Sequence, residues 1–260
     1  LAPHGFSIAL VEGQTPTDYD LSQKFDLKVC ALSPKSAQIM QQSSAWDILQ
    51  GMRLCPYKRM RVWEMDGFGD LTFNANQVGM LELGHIVENR LVQLSLWQAL
   101  ESLENVAVIC PASPIRFNRH GDVTNVVLDN GQHLSARLVV GADGAQSKVR
   151  EAFGVGVNRG QYQQACLVAS VNNQIGQQDI TWQRFVKTGP QDFLPLLGQH
   201  GSVVWYHQAD RARALSNLSH EDLSTEIMTH FPPLLRHIEV TAKPLTLIPL
   251  CRRRRIERCI

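Results

Sequence analysis

The sequence predicts an α/β fold: a Rossmann-like domain, incomplete at both ends, joined to a second domain built mainly on a β-sheet. Three observations carry this. A short apolar run, Ser7-Ile8-Ala9-Leu10-Val11, ends on Glu12-Gly13. A second, Arg137-Leu138-Val139-Val140, runs into the sharp turn Gly141-Ala142-Asp143-Gly144 and a helix start. Beyond Gly156 the pattern changes to short strands separated by polar or glycine turns.

Taken in order, Leu1 to Phe6 reads as a helix end with Gly5 as its cap, followed by a buried strand that closes on an acid. That is the second half of a βαβ unit; the glycine loop that would precede it lies outside the chain. Between Ser33 and Met52 the spacing of Ala37, Met40, Trp46, Ile48, Leu49 and Met52 predicts two short amphipathic helices. Arg61 to Met65 and Asp70 to Phe73, joined through Gly67 and Gly69, form a predicted hairpin. A helix is expected over about Val87 to Leu103, then strands at Val106 to Ile109 and Val123 to Leu128 with a turn at Asp129-Asn130-Gly131. Residues 137 to 142 read as a buried strand. Further strands are expected at Cys166 to Val171, Ile180 to Val186 and Ser202 to Tyr206. A helix then opens at Ser219, with Asp222 as the acid of a capping box, and stops at Pro232-Pro233. The predicted division is 1–56 with 85–157 for the first domain and 57–84 with 158–250 for the second, 251–260 returning towards the first.

Composition narrows the function classes. A formal net charge of +1 provides no field to hold a polyanion, so nucleic acid is not an expected partner. The six cysteines are scattered, without C-x-x-C pairs or zinc spacing, and predict reduced thiols in a cytoplasmic protein with no metal site. No apolar run approaches the ~20 residues of a membrane-spanning helix, and no signal peptide is expected. The nine histidines are dispersed and suggest no nucleophile triad.

The chemistry concentrates in Gly141-Ala142-Asp143-Gly144. Two glycines around a carboxylate at the C-terminal end of a strand let a backbone approach a cofactor, while Asp143 accepts hydrogen bonds from a sugar hydroxyl and Ser147 caps the helix behind. An ordinary strand-to-helix turn whose acid caps the helix fits the same four residues, and both readings stay open at this level. Glu12 is likewise either an acid for an adenosine ribose or a solvated strand end.

The segment Gly141-Ala142-Asp143-Gly144-Ala145-Gln146-Ser147-Lys148-Val149-Arg150 resembles the G-A-D-G-x-x-S-x-V-R motif of the flavin-dependent aromatic hydroxylases related to para-hydroxybenzoate hydroxylase. Within them the chain is most similar to the ubiquinone-biosynthesis hydroxylases. Further matches are Val87-Glu88-Asn89, Leu96-Trp97-Gln98-Ala99-Leu100, Thr181-Trp182-Gln183, Gly189-Pro190, Phe193-Leu194-Pro195-Leu196 and Val204-Trp205-Tyr206. The resemblance implies an FAD-binding domain and an enzyme that uses NAD(P)H and O2, through a flavin C4a-hydroperoxide, to hydroxylate the ring of a polyprenylated benzoquinol. It implies FAD contacts at Glu12, Lys28, Gln93, Gly141, Asp143, Gly144 and Arg150, with Lys28 standing where the family carries arginine in a D-x-R segment. It places Trp182, Phe193, Pro195, Trp205 and Tyr206 towards the ring substrate, although alternating aromatics in strands equally suit a core. A ubiquinone-biosynthesis protein complex and peripheral contact with the inner face of the membrane follow as implied partners. The Arg252 to Arg255 run reads first as a solvated face and second as a contact for anionic headgroups. A catalytically silent interaction protein and an FAD-dependent reductase remain the alternatives.

Overall fold

The computed structural model describes residues 2–161, 164–235, 237–242, 244 and 251–255. Backbone contacts divide the chain into two compact units, 1–16 with 100–160 and 251–260, and 17–99 with 161–250. This grouping sets 17–56 and 85–99 beside 161–250, where the sequence pattern had set them with 100–157.

In the first unit, a 3-10 turn at Ala2–His4 leads through Gly5, at φ +76, into the strand Ile8–Val11. Asn105 fastens this entry by donating its amide to the carbonyls of Ala2 and Phe6, both at 2.8 Å. The strand pairs in parallel with Val106–Ile109. Its expected burial is not found: Ala9 and Leu10 are exposed, because among the described residues the sheet has only these two strands. A meander of Pro114–His120, Val123–Leu128 and His133–Ala136 follows, with Gly131 at φ +85 in its second turn. Ala112, Val126 and Leu128 form the small core, joined by Val11, Ile109, Phe117, Leu134 and Val139. The strand expected over 137 to 142 is also absent. Leu138 and Val140 are exposed, and no described strand hydrogen-bonds to this stretch, so its backbone lacks the ladder a strand requires. Val157–Gln161 pairs with Cys251–Arg255, so the arginine run lies on a strand.

The second unit carries a seven-stranded sheet in the order Ile238–Val240, Gln164–Asn173, His200–Gln208, Gly189–Pro195, Ile180–Val186, Arg59–Glu64, Asp70–Asn74. All neighbours are antiparallel except Ile180–Val186 with Arg59–Glu64. Gln164–Asn173 shows why it folds this way: Ala165, Leu167, Ala169 and Val171 alternate inward against Cys166 and Val168. The inward face is covered by helices Ala209–Ser216 and His220–His230, whose Leu215, Leu223 and Ile227 pack with Leu167, Trp182, Phe193, Trp205 and Phe231. The Ser219 hydroxyl caps the second helix by accepting from Asp222 N at 3.0 Å. The Asp222 carboxylate, however, accepts from that hydroxyl at 2.7 Å instead of closing the expected reciprocal box.

A three-stranded antiparallel sheet, Val29–Leu32, Gly84–Glu88, Leu54–Tyr57, supports helices Pro34–Gln42, Ala45–Gln50 and Asn89–Leu100. Pro34 starts the first of these helices and the Ser33 hydroxyl accepts from Ser36 N at 3.2 Å. The helix expected from Val87 begins instead at Asn89. Gly84–Glu88 is buried along its whole length, and a fully buried strand lacks the alternation that separates it from helix in sequence.

Candidate functional site

The Gly141 to Arg150 turn is built by its own residues. Gly144 adopts φ +75, which favours glycine, and a 3-10 turn, Gly144–Gln146, leads into the helix Lys148–Ala152. The buried Ser147 hydroxyl accepts from Arg150 N at 3.0 Å, and the Asp143 carboxylate accepts from Val149 N at 3.1 Å. Arg150 donates through its guanidinium to the Ala145 carbonyl at 2.9 Å, tying the turn together. Gly141 has a packing reason of its own: a Cβ there would meet Cβ and Cγ1 of Val149 at 2.9 Å.

Electrostatics keep Asp143 ionised. Desolvation works against its charge, but hydrogen bonds from the Ser147 hydroxyl and from the N–H groups of Val149, Asp143 and Lys148 outweigh it and hold the carboxyl below its usual range. Asp143 and Gly144 are nevertheless exposed, and nothing lies within 4 Å of where a Gly144 Cβ would be. An ionised acceptor beside open backbone is suited to the hydroxyl-rich sugar portion of a dinucleotide, so these residues fit FAD. Glu12, in the same unit, ends the strand Ile8–Val11 and accepts through Oε1 from the N–H groups of Gly13 at 2.8 Å and Gln14 at 3.2 Å.

Lys28 and Gln93 belong to the other unit, and both side chains are exposed. The Lys28 carbonyl accepts from Asn89 N at 3.0 Å, which places Lys28 at the start of the Asn89–Leu100 helix that carries Gln93. Beside them lies a network that sequence reading missed. Arg53 and Glu88, 7% and 1% exposed, form an ion pair at 2.8 Å. Arg53 also donates to the Gln23 carbonyl at 2.6 Å and stacks 4.1 Å from the centre of the Phe25 ring. Glu88 Oε1 accepts from Asp26 N at 2.7 Å, and Arg90 binds Asp26 Oδ2 at 2.9 Å and the carbonyls of Thr17 and Asp18. Burial foremost raises the Glu88 carboxyl above its usual range, against the opposing pull of the Asp26 N–H and Arg53. Two arginines thus hold the segment leading into Lys28. The available signal was a charge inside apolar elements, at Met52-Arg53-Leu54 and Ile86-Val87-Glu88.

The aromatic set divides between the two faces of the large sheet. Trp182, Phe193 and Trp205 are 3%, 1% and 3% exposed and belong to the core under the helices, with the Trp182 and Phe193 rings stacked at 5.8 Å. Pro195 follows Phe193 on that face and is buried. Tyr206 alternates to the opposite face and is half-buried there. The sequence motif therefore joins residues that point in two directions.

Residues 117–240 match the FAD binding domain family. The chain is 37% identical to the 3-demethoxyubiquinol 3-hydroxylase of Escherichia coli over 99% of its own length and 65% of that protein's. It is 30% identical to the mitochondrial ubiquinone biosynthesis monooxygenase COQ6 of Xenopus tropicalis, over 86% of the chain and 50% of that protein. The chain thus spans about half to two thirds of the length of these curated relatives. Among solved structures, Pseudomonas aeruginosa PqsL in complex with 2-aminobenzoylacetate superposes with a TM-score of 0.76 at 18% identity, over 96% of this chain and 68% of that one, and shows the shared fold. With the glycine turn at Asp143 in place and the likeness running along nearly the whole chain, the protein is similar to the FAD-binding hydroxylases of ubiquinone biosynthesis.

Proposed function

We propose that this protein is an FAD-dependent monooxygenase that hydroxylates the ring of a polyprenylated benzoquinol in ubiquinone biosynthesis, with NAD(P)H as reductant and O2 as oxidant. The observation that carries the reading is the 37% identity over 99% of the chain to an enzyme of that name. The ionised, exposed Asp143 in its glycine turn supports it. Bound FAD, once reduced, supplies the oxygen-transfer chemistry. Asp143 would accept hydrogen bonds from the cofactor's hydroxyls, Arg150 and Ser147 would keep that acceptor in place, and Glu12, Lys28 and Gln93 would add further cofactor contacts. The first domain of this reading comprises 1–56 with 85–157, and the second 57–84 with 158–250, the sheet of the second presenting the ring site. There the half-buried Tyr206 would touch the ring directly. The buried Trp182, Phe193, Pro195 and Trp205 set the sheet's shape from behind. A polyprenyl substrate further suits a cytoplasmic protein that works against the inner membrane surface and within an assembly of pathway enzymes.

The test begins with FAD titrated into the purified protein. Quenching of flavin fluorescence is expected, followed by NAD(P)H oxidation stimulated by a short-tailed demethoxyquinol and by a ring product heavier by one oxygen atom in mass spectrometry. Unquenched flavin overturns the reading. Oxidation of NAD(P)H without ring hydroxylation would make the protein a reductase.

A further inference from the structure

We infer that Asp192 and the half-buried row around it form a site for a phenolic hydroxyl, the group by which a hydroquinol ring would be held; the inference rests on the hydroxylase reading above. Strand register sets Gln183, Asp192, Val204 and Val168 side by side across four strands. They occupy the sheet face opposite to Trp182, Phe193, Val203 and Ala169, which are core. Among the described residues none of the four joins a hydrophobic cluster, and each is only half-buried.

Within this row the carboxylate is incompletely satisfied. The Gln183 side chain hydrogen-bonds to Asp192, yet Asp192 Oδ1 is closed off and has no partner. A shielded acceptor without a donor costs stability, and one kept on an otherwise ordinary strand points to a donor that arrives with a ligand. Tyr206 and Cys166, paired with each other, stand two residues further along the same face. Burial foremost, reinforced by the Asp192 charge, raises both of them, so they keep their protons at neutral pH. Val168 and Val204 add apolar surface to the same row. Among the described residues no acidic or histidine cluster of metal-binding size exists, so a neutral hydroxyl on an apolar ring fits the row better than a cation.

The probes are 2-methoxyphenol and 1,2-dimethoxybenzene, which differ by one O–H, titrated by ligand-observed NMR into the protein. The phenol is expected to bind roughly tenfold more tightly, as suits one charge-assisted hydrogen bond. Asp192→Asn should lower that preference several-fold and Asp192→Val abolish it, each with an unchanged near-ultraviolet circular dichroism spectrum. Equal binding of the two probes, or variants that retain the preference, overturns the inference. Flavin quenching on the same samples separates the two claims. Protein that takes FAD without an Asp192-dependent preference loses this site and keeps the hydroxylase reading. Protein with the preference and no FAD uptake keeps the site and loses that reading.

Discussion

Replacing Arg53 by Met is expected to destabilise the second unit by about 3–5 kcal/mol, the usual cost of removing one member of a buried ion pair. The size follows from what remains. Glu88, 1% exposed, would keep the Asp26 N–H but lose its 2.8 Å cation, and its Oε2 already lacks a partner. The Gln23 carbonyl would lose its donor at 2.6 Å and Phe25 its guanidinium. With a urea slope of roughly 2–3 kcal/mol/M, the midpoint should fall by about 1–2 M, read by tryptophan fluorescence, since Trp46 sits in the adjacent core. The double variant Arg53→Met with Glu88→Leu, which removes both charges, should recover most of the loss. The pH dependence has a definite sign. The folded-state value of Glu88 is raised, so its protonated form favours folding at low pH and that contribution fades as pH rises through the raised value. The deficit of the single variant should therefore shrink on acidification. A single variant within 0.5 kcal/mol of the parent, or a double variant as unstable as the single, would refute the argument.

Three other outcomes follow. Ser147→Ala should cost about 1 kcal/mol through the lost cap and bring the Asp143 carboxyl back towards its usual range, as seen by carboxyl-carbon NMR titration. Gly141→Ala should cost about 1–3 kcal/mol through collision with Val149 and be only partly relieved by Val149→Ala, which removes Cγ1 but keeps the Cβ, whereas Gly144→Ala, with open space around it, should cost only the roughly 1 kcal/mol of a positive φ; urea unfolding ranks the three. Asp192, pushed up to about 6 chiefly by burial, favours folding below the normal carboxylate range and loses that contribution as pH rises towards 6; Asp192→Asn should flatten this part of a stability–pH curve and, allowing for solvent screening, stabilise by about 1–2 kcal/mol at pH 7.

Legibility in the sequence followed chain locality. The Asp143 turn could be read because its donor, acceptor, cap and glycine freedom all lie within ten contiguous residues, 141 to 150. The Ser33-Pro34 helix start and the Arg59–Glu64 hairpin were visible for the same reason. The Arg53–Glu88 pair joins residues 35 positions apart, and the incomplete satisfaction of Asp192 depends on three neighbouring strands, so neither leaves a local mark. Residues 137 to 142 misled because an apolar run reports burial only when another strand is present to cover it. Val204-Trp205-Tyr206 shows the complementary limit: one motif, but successive side chains on opposite sides of a sheet.

The one parallel pairing in the large sheet has a consequence for how the chain assembles. Arg59–Glu64 and its hairpin partner Asp70–Asn74 are synthesised together, yet among the described residues the next strand to join them, Ile180–Val186, lies roughly 120 residues downstream. On the ribosome the hairpin must wait with the outer hydrogen-bonding edge of Arg59–Glu64 open until that strand emerges. Slow translation between residues 75 and 180 would lengthen this wait, and aggregation during expression should begin at the hairpin.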